Sequence, residues 1–311
     1  MHVFHKPFRW AILYTLILTL ATAYVLLDTF VIPRAGTAAI STASAASADT
    51  DTTVETAAGA QSDADPDETA AVITDTSYTD GNIQITLETI YVYDTAVYIA
   101  DIQVSDASYL KTALAQGLYG RNIKETTSDM AEENGAVLAI NGDYYGFRND
   151  GYVIRNGILY RDVSGDNEDL VIDGEGNFSI IDESGTTAQS LLDAGAWQVL
   201  SFGPALVTDG EIAVSADSEV SQSKSSNPRT AIGQIGPLHY LVIVSDGRTG
   251  ESAGLSLLEL AGLFYERGCT VAYNLDGGGS TTLWFNGQVI NTPTDGRSYG
   301  ERKVSDIVYF I

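Results

Sequence analysis

The pattern of hydrophobic and polar positions divides the chain into three parts. A 23-residue apolar run extends from Trp10 to Ile32 and is interrupted only by Asp28. Residues 33–76 are rich in Ala, Ser, Thr and Asp and contain few large apolar side chains. Residues 77–311 alternate short apolar runs with clusters of Gly, Asn and Asp, which is typical of a folded domain rich in strands.

The apolar run is long enough to cross a membrane, because a helix rises ~1.5 Å per residue and a hydrocarbon core is about 30 Å thick. Lys6 and Arg9 precede the run, so the positive-inside rule predicts a cytoplasmic N-terminus and export of the body. We therefore predict a basic cytoplasmic segment over 1–9 and a signal-anchor helix over 10–32. A cleaved signal peptide is the alternative, since Ala43-Ser44-Ala45 offers a small-residue cleavage pattern.

The segment after the helix carries charge of one sign. Nine acidic residues lie between Asp49 and Asp80 inclusive, and no Lys or Arg occurs from there back to Arg34. Such a composition cannot bury enough apolar surface to offset the entropy of ordering. We predict a disordered linker over 33–76 that holds residues 77–311 away from the membrane.

The body of the chain contains a predicted β-α-β unit. "HYLVIVSDG" is an apolar strand, "SLLELAGLFYERG" is a helix in which Ser256 and Glu259 have capping-box spacing, and "CTVAYNLDGG" is a second strand. A right-handed crossover makes these strands parallel, so Asp246 and Asp276 lie at one edge, where ligands bind in open α/β sheets. The predicted fold class is α+β (mixed α/β), with a single mixed-sheet domain over 77–311.

Shorter patterns predict the neighbouring elements. "NIQITLETIYVYDTAVYIADIQVS" alternates with a period of two and predicts paired strands joined near Asp94. "TTSDMAEENG" predicts a short capped helix that ends at Gly135, and "AVLAIN" predicts a buried strand. "TTLWFNGQVIN" predicts a hairpin around Asn286-Gly287, and "VSDIVYFI" predicts a last strand.

Composition excludes several classes of protein and site. The formal net charge of −25 and the pI near 4.1 oppose nucleic-acid binding, which requires an excess of Lys and Arg. Cys269 is the single cysteine, so an internal disulfide framework is excluded. His239 is the one histidine beyond the N-terminal segment, which leaves few means of building a Ser-His or His-metal site.

The stretch "NLDGGGSTT" is the most distinctive candidate for chemistry. Asp276 precedes three glycines after an apolar strand, and consecutive glycines allow backbone N–H groups to converge on an anion such as phosphate. A tight turn that merely requires glycine is the structural alternative. No Lys follows the glycines, as a P-loop would require, and Ser280 does not lie in a G-x-S-x-G motif.

An ordered set of motifs resembles the phosphodiester glycosidase family. The motifs are "AINGDYY", "IRNGIL", "FGPALV", "NPRTAIG", "VIVSDGR", "NLDGGGSTTL" and "GERKVSD", and the resemblance covers about 77–311. The resemblance implies a hydrolase that acts on a sugar joined through its anomeric carbon to a phosphodiester. We therefore expect an extracytoplasmic, membrane-tethered enzyme that cleaves such linkages in surface polysaccharide or glycan.

Two carboxyl groups usually flank the bond that a glycosidase cleaves. We accordingly expect Asp276 to be the base or nucleophile, Glu301 its carboxylate partner, and Asp143 a third acid or a ligand of sugar hydroxyls. A phosphate leaving group needs positive charge and N–H donors more than it needs a proton. The predicted substrate and phosphate contacts are Asn141, Arg229, Asp246, Arg248, Gly277, Gly278, Gly279, Ser280, Thr281 and Arg302.

Several alternatives remain open at this level. No cofactor is expected to be required, but the carboxylates of Asp143, Asp246 or Asp276 are of a type that binds calcium or magnesium. Tyr144, Tyr145 and Trp284 could stack on sugars in a non-catalytic glycan-binding module. A metal-dependent phosphodiesterase that cleaves the P–O bond is the third candidate. The expected partners are a carbohydrate phosphodiester and the membrane, and no nucleic acid.

Overall fold

A computed structural model describes residues 8–38, 71–218, 226–296 and 298–311. The α-helices are α1 (Phe8–Phe30), α2 (Thr127–Glu133), α3 (Ala188–Asp193) and α4 (Leu257–Glu266). The strands are β1 (Arg34–Ala35), β2 (Val72–Ile73), β3 (Ser77–Thr79), β4 (Ile83–Val92), β5 (Thr95–Val104), β6 (Leu110–Leu114), β7 (Gly120–Arg121), β8 (Leu138–Asn141), β9 (Val153–Arg155), β10 (Ile158–Arg161), β11 (Glu168–Asp173), β12 (Phe178–Asp182), β13 (Ala196–Ser201), β14 (Ala205–Thr208), β15 (Glu211–Ile212), β16 (Arg229–Gly236), β17 (His239–Ser245), β18 (Val271–Asn274), β19 (Leu283–Phe285), β20 (Gln288–Val289), β21 (Thr294–Asp295), β22 (Ser298–Tyr299) and β23 (Asp306–Phe310).

Helix α1 is apolar on all sides. The stretch from Trp10 to Phe30 has a mean hydropathy of 2.0, and none of its most apolar window is buried inside the protein. A helix this apolar and this exposed is stable in a hydrocarbon environment, which satisfies its side chains while the helix satisfies its own backbone. The helix thus has the properties of a membrane anchor or a signal sequence.

Both ends of the predicted linker form strands, which corrects the boundaries given above. β1 pairs with β7, with Arg34 opposite Arg121 and Ala35 opposite Gly120. β2 pairs with β3, so the domain begins before residue 77. Strand pairing uses the N–H and C=O groups of the backbone, so the polar side chains on which the linker prediction rested do not prevent it. The rest of the predicted linker, residues 39–70, lies outside the described residues.

The mixed α+β class is confirmed, and the strands are distributed over three large sheets rather than one. The first sheet has nine strands in the order β15-β14-β18-β16-β17-β5-β4-β3-β2. The second has the order β10-β9-β13-β11-β12 and the third the order β20-β19-β8-β23-β6. A central apolar cluster joins all three sheets, with Ile102 from the first, Leu170 from the second and Val308 from the third.

The predicted β-α-β unit is present with one strand inserted. β17 and β18 each pair antiparallel with β16, which lies between them, so they run parallel to each other. α4 connects them and buries Leu260 and Phe264 against the nine-stranded sheet. The C-terminal ends of β17 and β18 therefore lie at the same edge as Arg229, the first residue of β16. Period and spacing could not reveal the inserted strand, because β16 precedes the unit in sequence.

Local predictions agree with the structure at several turns and caps. The turn between β4 and β5 places Tyr93 and Asp94 at φ values of 53° and 52°. Ser256 and Glu259 form a capping box at the start of α4. The β19–β20 hairpin turns at Asn286 and Gly287, whose φ values are 45° and 87°. Asp, Asn and Gly are the residue types that most readily adopt left-handed backbone, so Asp94, Asn286 and Gly287 sufficed to locate the two turns.

Candidate active site

Asn141 joins the strand ends that form the site. It ends β8, and its Nδ2 donates to the carbonyl oxygen of Asp276 at 2.6 Å. Its Oδ1 accepts from Thr230 Oγ1 at 2.8 Å and from the Thr282 amide at 3.2 Å. Its side chain is fully buried. Asn141, which was predicted to contact the substrate, thus links and fixes the backbone on both sides of the glycine run. A buried amide can do this when its donor and acceptor groups all have hydrogen-bond partners.

Asp276 lies just beyond the C-terminal end of β18. Its Oδ1 accepts from the Gly277 amide at 2.9 Å, and its carboxylate also bonds the Ser280 side chain. Burial raises the pKa of Asp276 to about 6, although the Ser280 hydrogen bond and the positive charge of Arg302 act in the opposite direction. A carboxyl group with such a pKa can exist in either protonation state near neutral pH, as acid–base catalysis requires.

Asp276 faces a polar cleft of about 280 Å³. The cleft is lined by Lys124, Asp143, Tyr144, Phe147, Asp276, Ser280, Asp295, Arg302, Lys303, Val304 and Ser305. Three of these side chains are cationic, three are acidic and two are aromatic. The lining therefore offers cations to an anionic group, carboxylates to a reacting carbon and rings that can stack on a sugar within one small space.

Two of the three glycines accommodate arginine side chains, and Gly277 lies against the Pro228 carbonyl. A Cβ on Gly278 would lie 2.8 Å from Nη2 of Arg248, and one on Gly279 would lie 2.5 Å from Nη2 of Arg302. The Gly277 amide is bonded to Asp276, and the Gly278 amide donates to the Pro228 carbonyl at 2.8 Å. The predicted anion nest is therefore corrected at these two amides, which are already bonded. The glycines are required because guanidinium groups pack directly on the backbone.

Arg302 is the arginine that the fold brings into the cleft. Its Nη2 contacts Oδ1 of Asp295 at 2.6 Å, and its Nε donates to the same oxygen at 3.1 Å. The Asp295 carboxylate raises the pKa of Arg302, so the guanidinium remains charged. This contact also holds the flexible Arg302 side chain across Gly279 and beside Asp276.

Three other predicted contacts lie outside the cleft lining. Arg248 has a φ of 61° and donates through Nε and Nη2 to Oδ1 of Asn227. Arg229 is buried, and its Nε donates to the Leu255 carbonyl at 3.0 Å. Asp246 accepts from Tyr98 and from the Thr292 amide, and burial raises its pKa. These side chains hold loops together at the edge of the sheet. Thr281 is likewise buried and outside the cleft lining.

Glu301 also occupies a different position from the predicted one. Its Oε1 accepts from the Ser128 amide at 3.0 Å and its Oε2 from Ser128 Oγ at 2.5 Å, at the N-terminus of α2. A carboxylate is favoured there because the first amides of a helix lack intrahelical partners. Glu301 thus has a capping contact on α2 rather than a place in the lining of the Asp276 cleft.

Asp143 forms part of the cleft floor but is held by the protein. Its Oδ2 accepts from Nη2 of Arg155 at 2.7 Å and from the Ser201 amide at 3.0 Å. Its Oδ1 accepts from the Tyr145 amide at 2.9 Å. With three donors already present, the carboxylate is better suited to positioning than to the predicted proton transfer or binding of sugar hydroxyls.

Arg155 bridges two buried acids beneath the cleft. Its Nη2 lies 2.7 Å from Asp143 and 2.8 Å from Asp306, and both carboxylates are fully buried. One guanidinium cannot neutralise two carboxylates in a dry interior, and burial raises the pKa of Asp306. A Cβ on Gly142 would collide with the Asp306 carboxylate, so this backbone also requires glycine. The motif "IRNGIL" contains Arg155, but nothing in its spacing indicates that the guanidinium points inward.

Sequence reasoning missed several residues of the cleft. Lys303 lies inside the motif "GERKVSD", and a count of cations in that motif would have detected it. Lys124 lies in a loop and Asp295 at the end of the two-residue strand β21, and neither belongs to a distinctive pattern. Tyr144 was expected only as a stacking residue of a glycan binder, and it is brought into the same cleft as Asp276.

Candidate metal ligands do not converge in the part of the chain that the structure describes. Among residues 8–38, 71–218, 226–296 and 298–311, no group of three His, Cys, Asp or Glu side chains is placed to hold an ion. His239 contacts Asp101 on β5, away from Ser280. The candidate site is therefore built from the half-buried carboxylate of Asp276, its hydrogen-bond donors, the carboxylates of Asp143 and Asp295, and nearby cations.

The comparisons with known proteins identify the family of the chain. The sequence model of the phosphodiester glycosidase family matches residues 134–311, which is more than half of the chain. The chain therefore belongs to the phosphodiester glycosidase family. Asp276, Arg302 and the other cleft residues beyond position 133 all lie within the matched region.

Two curated relatives share parts of the sequence. The SPbeta prophage-derived uncharacterized protein YomE of Bacillus subtilis is 31% identical over 186 residues, which cover 57% of this chain and 29% of that protein. The N-acetylglucosamine-1-phosphodiester alpha-N-acetylglucosaminidase of Mus musculus is 39% identical over 67 residues, which cover 22% of this chain and 13% of that enzyme. The chain thus matches less than a third of the length of either relative.

Two solved structures share the fold. The catalytic domain of zebrafish N-acetylglucosamine-1-phosphodiester alpha-N-acetylglucosaminidase, auto-inhibited by its pro-peptide, is 22% identical with a TM-score of 0.59. The alignment covers 73% of this chain and 82% of that one. A hypothetical protein from Synechocystis is 15% identical with a TM-score of 0.51, over 73% of this chain and 62% of that one. At these identities the similarity concerns the fold alone.

The buried arginine bridge gives a prediction about stability. Arg155→Ala leaves the carboxylates of Asp143 and Asp306 buried without their cation, so the free energy of unfolding should fall by about 3–5 kcal/mol. Urea denaturation followed by circular dichroism measures the change. Arg267→Ala removes a partly exposed arginine whose partner Glu88 is largely exposed, and it serves as the control. Equal stability of the two variants would contradict the role given to Arg155.

The glycine run gives a prediction about activity. In Gly279→Ala the new Cβ displaces the flexible guanidinium of Arg302 while the core remains intact. We expect kcat/KM for a glycosyl phosphodiester to fall at least tenfold, roughly 1.4 kcal/mol of transition-state stabilisation, with little change in Tm. Gly236→Ala is the control, since nothing lies within 4 Å of its Cβ position. A Gly279→Ala enzyme as active as this control would contradict the packing account.

Proposed function

We propose that this chain is an extracytoplasmic, membrane-tethered hydrolase that cleaves the bond between an anomeric carbon and the oxygen of a phosphodiester. The observation that supports it most is the placement of Asp276, with a pKa of about 6, in one cleft with Lys124, Arg302 and Lys303. A reacting carboxylate and a cluster of cations are what a sugar phosphate requires at its two ends. Membership of the phosphodiester glycosidase family agrees with this assignment.

The cleft size favours a small substrate unit. Small-molecule sites commonly have volumes of roughly 300–1,000 Å³, and this cleft of about 280 Å³ lies just below that range. One sugar with its phosphate would occupy most of it, with Tyr144 and Phe147 available for stacking on the ring. The remainder of a phosphorylated polymer or glycan would extend from the open side.

The proposed chemistry follows from the leaving group. As the C–O bond breaks, positive charge develops on the sugar and negative charge on the phosphodiester oxygen. Arg302, Lys124 and Lys303 stabilise the departing phosphate, which is already a stable anion and needs little protonation. Asp276 in its ionised form either activates water as a base or attacks the anomeric carbon as a nucleophile. Asp143 and Arg155 would act through positioning of the cleft floor.

The position of the domain relative to the membrane is part of the proposal. α1 is long enough and apolar enough to span a bilayer, and Arg34 just after it pairs with the folded domain through β1. If α1 is retained as an anchor, the domain lies close to the extracytoplasmic surface of the membrane that α1 spans. Phosphodiester-linked sugars in surface polysaccharide or glycan are the proposed substrates.

The role of Asp276 predicts a pH dependence. Because burial raises its pKa to about 6, Asp276 is protonated below that pH and loses its ability to act as base or nucleophile. The acid limb of kcat/KM should have an apparent pKa of about 6. Arg302→Gln removes a charge that favours the carboxylate, so the limb should move to higher pH. Asp276→Asn should reduce kcat at least a thousandfold with unchanged Tm.

The control for this series is Arg267→Gln, a surface arginine on the far face that should leave the pH profile in place. Full activity of Asp276→Asn at pH 7 would refute the assignment. An acid limb that does not respond to Arg302→Gln would show that another group controls the profile.

The bond that breaks can be identified with water labelled with oxygen-18. C–O cleavage places the label in the released sugar, whereas P–O cleavage places it in the phosphate. Mass spectrometry of the products of an N-acetylglucosaminyl phosphodiester should find the label in the sugar. Label in the phosphate would show that the enzyme is a phosphodiesterase and not the proposed glycosidase. The absence of any product would favour a glycan-binding module.

A further inference from the structure

A second cationic cavity lies beside the cleft. It has a volume of about 250 Å³ and is lined by Arg34, Ala35, Gly36, Tyr119, Gly120, Arg121, Tyr145, Arg148, Asn149 and Arg161. We call it the four-arginine pocket, after Arg34, Arg121, Arg148 and Arg161. A cluster of four guanidinium groups is unexpected in a chain with a net charge of −25, because its 41 acidic residues far outnumber its 16 lysines and arginines.

Two of the arginines that line the pocket have a buried N–H group without a protein partner among the described residues. Arg161 is only 9% exposed, and it donates through Nε to the Gly151 carbonyl and through Nη1 to the Tyr145 carbonyl. Its Nη2 is buried and has no hydrogen-bond partner among the described residues. The same holds for Nε of Arg121. An unsatisfied buried donor is costly, and one on a charged group more so, unless a ligand satisfies it.

The remaining arginines keep their charge available to the pocket. Arg148 lies over the rings of Tyr144 and Phe202, with its guanidinium carbon 5.7 Å and 5.2 Å from their centroids. Ring faces orient the guanidinium without neutralising it. Arg34 is half exposed and contacts Asp28 in α1. Among the described residues, Asp28 is the one acidic side chain within ion-pair distance of these four arginines, so the pocket has a positive potential.

The segment that follows the membrane helix forms one wall of the pocket. β1 pairs with β7, and the Gly36 amide donates to the Tyr119 carbonyl at 2.8 Å. Asn122 donates through Nδ2 to the carbonyls of Thr29 and Ile32, each at 3.1 Å. These contacts fix the end of α1 against the domain. The pocket is consequently held next to the C-terminal end of α1. With α1 in the membrane, this is the level at which lipid phosphates lie.

The pocket and the cleft are adjacent but separate. Tyr144 and Phe147 line the cleft, whereas Tyr145 and Arg148 of the same turn line the pocket. The charge of Arg148 also lowers the pKa of Asp276. An anion in the pocket would therefore lie one turn of chain away from the reacting carboxylate without competing for its place.

We propose that the four-arginine pocket is a phosphate-binding site distinct from the Asp276 cleft. Its ligand is a phosphate monoester or diester, carried either by a lipid headgroup or by a second phosphate of a polymeric substrate. All four arginines line the cavity and supply positive charge, and Arg161 and Arg121 each have an N–H group without a hydrogen-bond partner among the described residues. Binding at this site does not depend on turnover in the cleft, so it can be tested whether or not the proposed hydrolysis occurs.

The experiment measures binding of inorganic phosphate to the full chain in a phosphate-free maltoside detergent by isothermal titration calorimetry. All proteins carry Arg302→Gln, which weakens phosphate binding in the cleft. Arg34→Gln combined with Arg121→Gln should raise the Kd at least tenfold, because two of the four charges are lost. Lys111→Gln combined with Arg267→Gln removes the same charge elsewhere and should change the Kd less than twofold.

A second variant protects the test against misfolding. Arg34→Glu changes only an exposed side chain on β1, and it should also raise the Kd at least tenfold while leaving Tm near the parent value. The proposal would be overturned if the Kd for phosphate of Arg34→Glu and of the double variant equalled the Kd of the charge-matched control.

The source of the phosphate is identified by repeating the titration in nanodiscs of phosphatidylglycerol. If the headgroup is the natural ligand, lipid occupies the pocket and the variant-sensitive binding of inorganic phosphate disappears. If the second phosphate of a polymer is the ligand, the same binding persists in nanodiscs at the affinity measured in detergent. Both results require the pocket to bind phosphate.

Discussion

The rest of the site depends on the electrostatic interaction between the half-buried carboxylate of Asp276 and the guanidinium of Arg302. Burial disfavours the ionised carboxylate, whereas the guanidinium and the Ser280 hydrogen bond favour it, and the balance gives a pKa of about 6. The glycines after β18 let Arg302 approach, because a Cβ on Gly279 would occupy the space of the guanidinium. A substrate phosphate would share this cation with Asp276, which couples binding to the charge of the reacting group.

The surrounding structure serves to keep this pair in place. Asn141 bonds the backbone on both sides of the glycine run, and Arg155 ties Asp143 to Asp306 beneath the cleft. Buried ion pairs add little net stability, but removal of one partner is costly. The network therefore determines a single arrangement of the side chains beneath the cleft more than it adds to stability. The three sheets meet in one apolar cluster below it, so loops from distant parts of the chain share a rigid support.

The sequence predicted the elements well and the directions of side chains poorly. Periodicity and capping residues located α4, the hairpin at Asn286-Gly287 and the parallel arrangement of β17 and β18, since these features arise from local chemistry. The inserted strand β16 escaped detection because strand order depends on tertiary pairing. The family motifs identified Asp276, Ser280 and Arg302 as neighbours in the cleft.

Motif residues that point away from the cleft show the limit of such reasoning. Glu301 directly precedes Arg302, yet its carboxylate contacts the N-terminus of α2. Arg229, Arg248 and Asp246 likewise hold loops together, although each follows or begins a strand at the correct edge. A loop residue points toward substrate or toward protein according to backbone torsions that spacing does not determine. The four-arginine pocket was invisible for the same reason, since its members come from four separate segments.

The most direct measurement is the titration of Asp276 itself by carbon-13 NMR of protein labelled at the aspartate carboxyl groups. Its resonance is identified by comparison with Asp276→Asn, and the same titration is repeated in Arg302→Gln. The account predicts a midpoint near pH 6 that rises when Arg302 is removed. A midpoint near the ordinary value of about 3.9, unaffected by that substitution, would contradict the coupling of the buried carboxylate to its neighbouring cation.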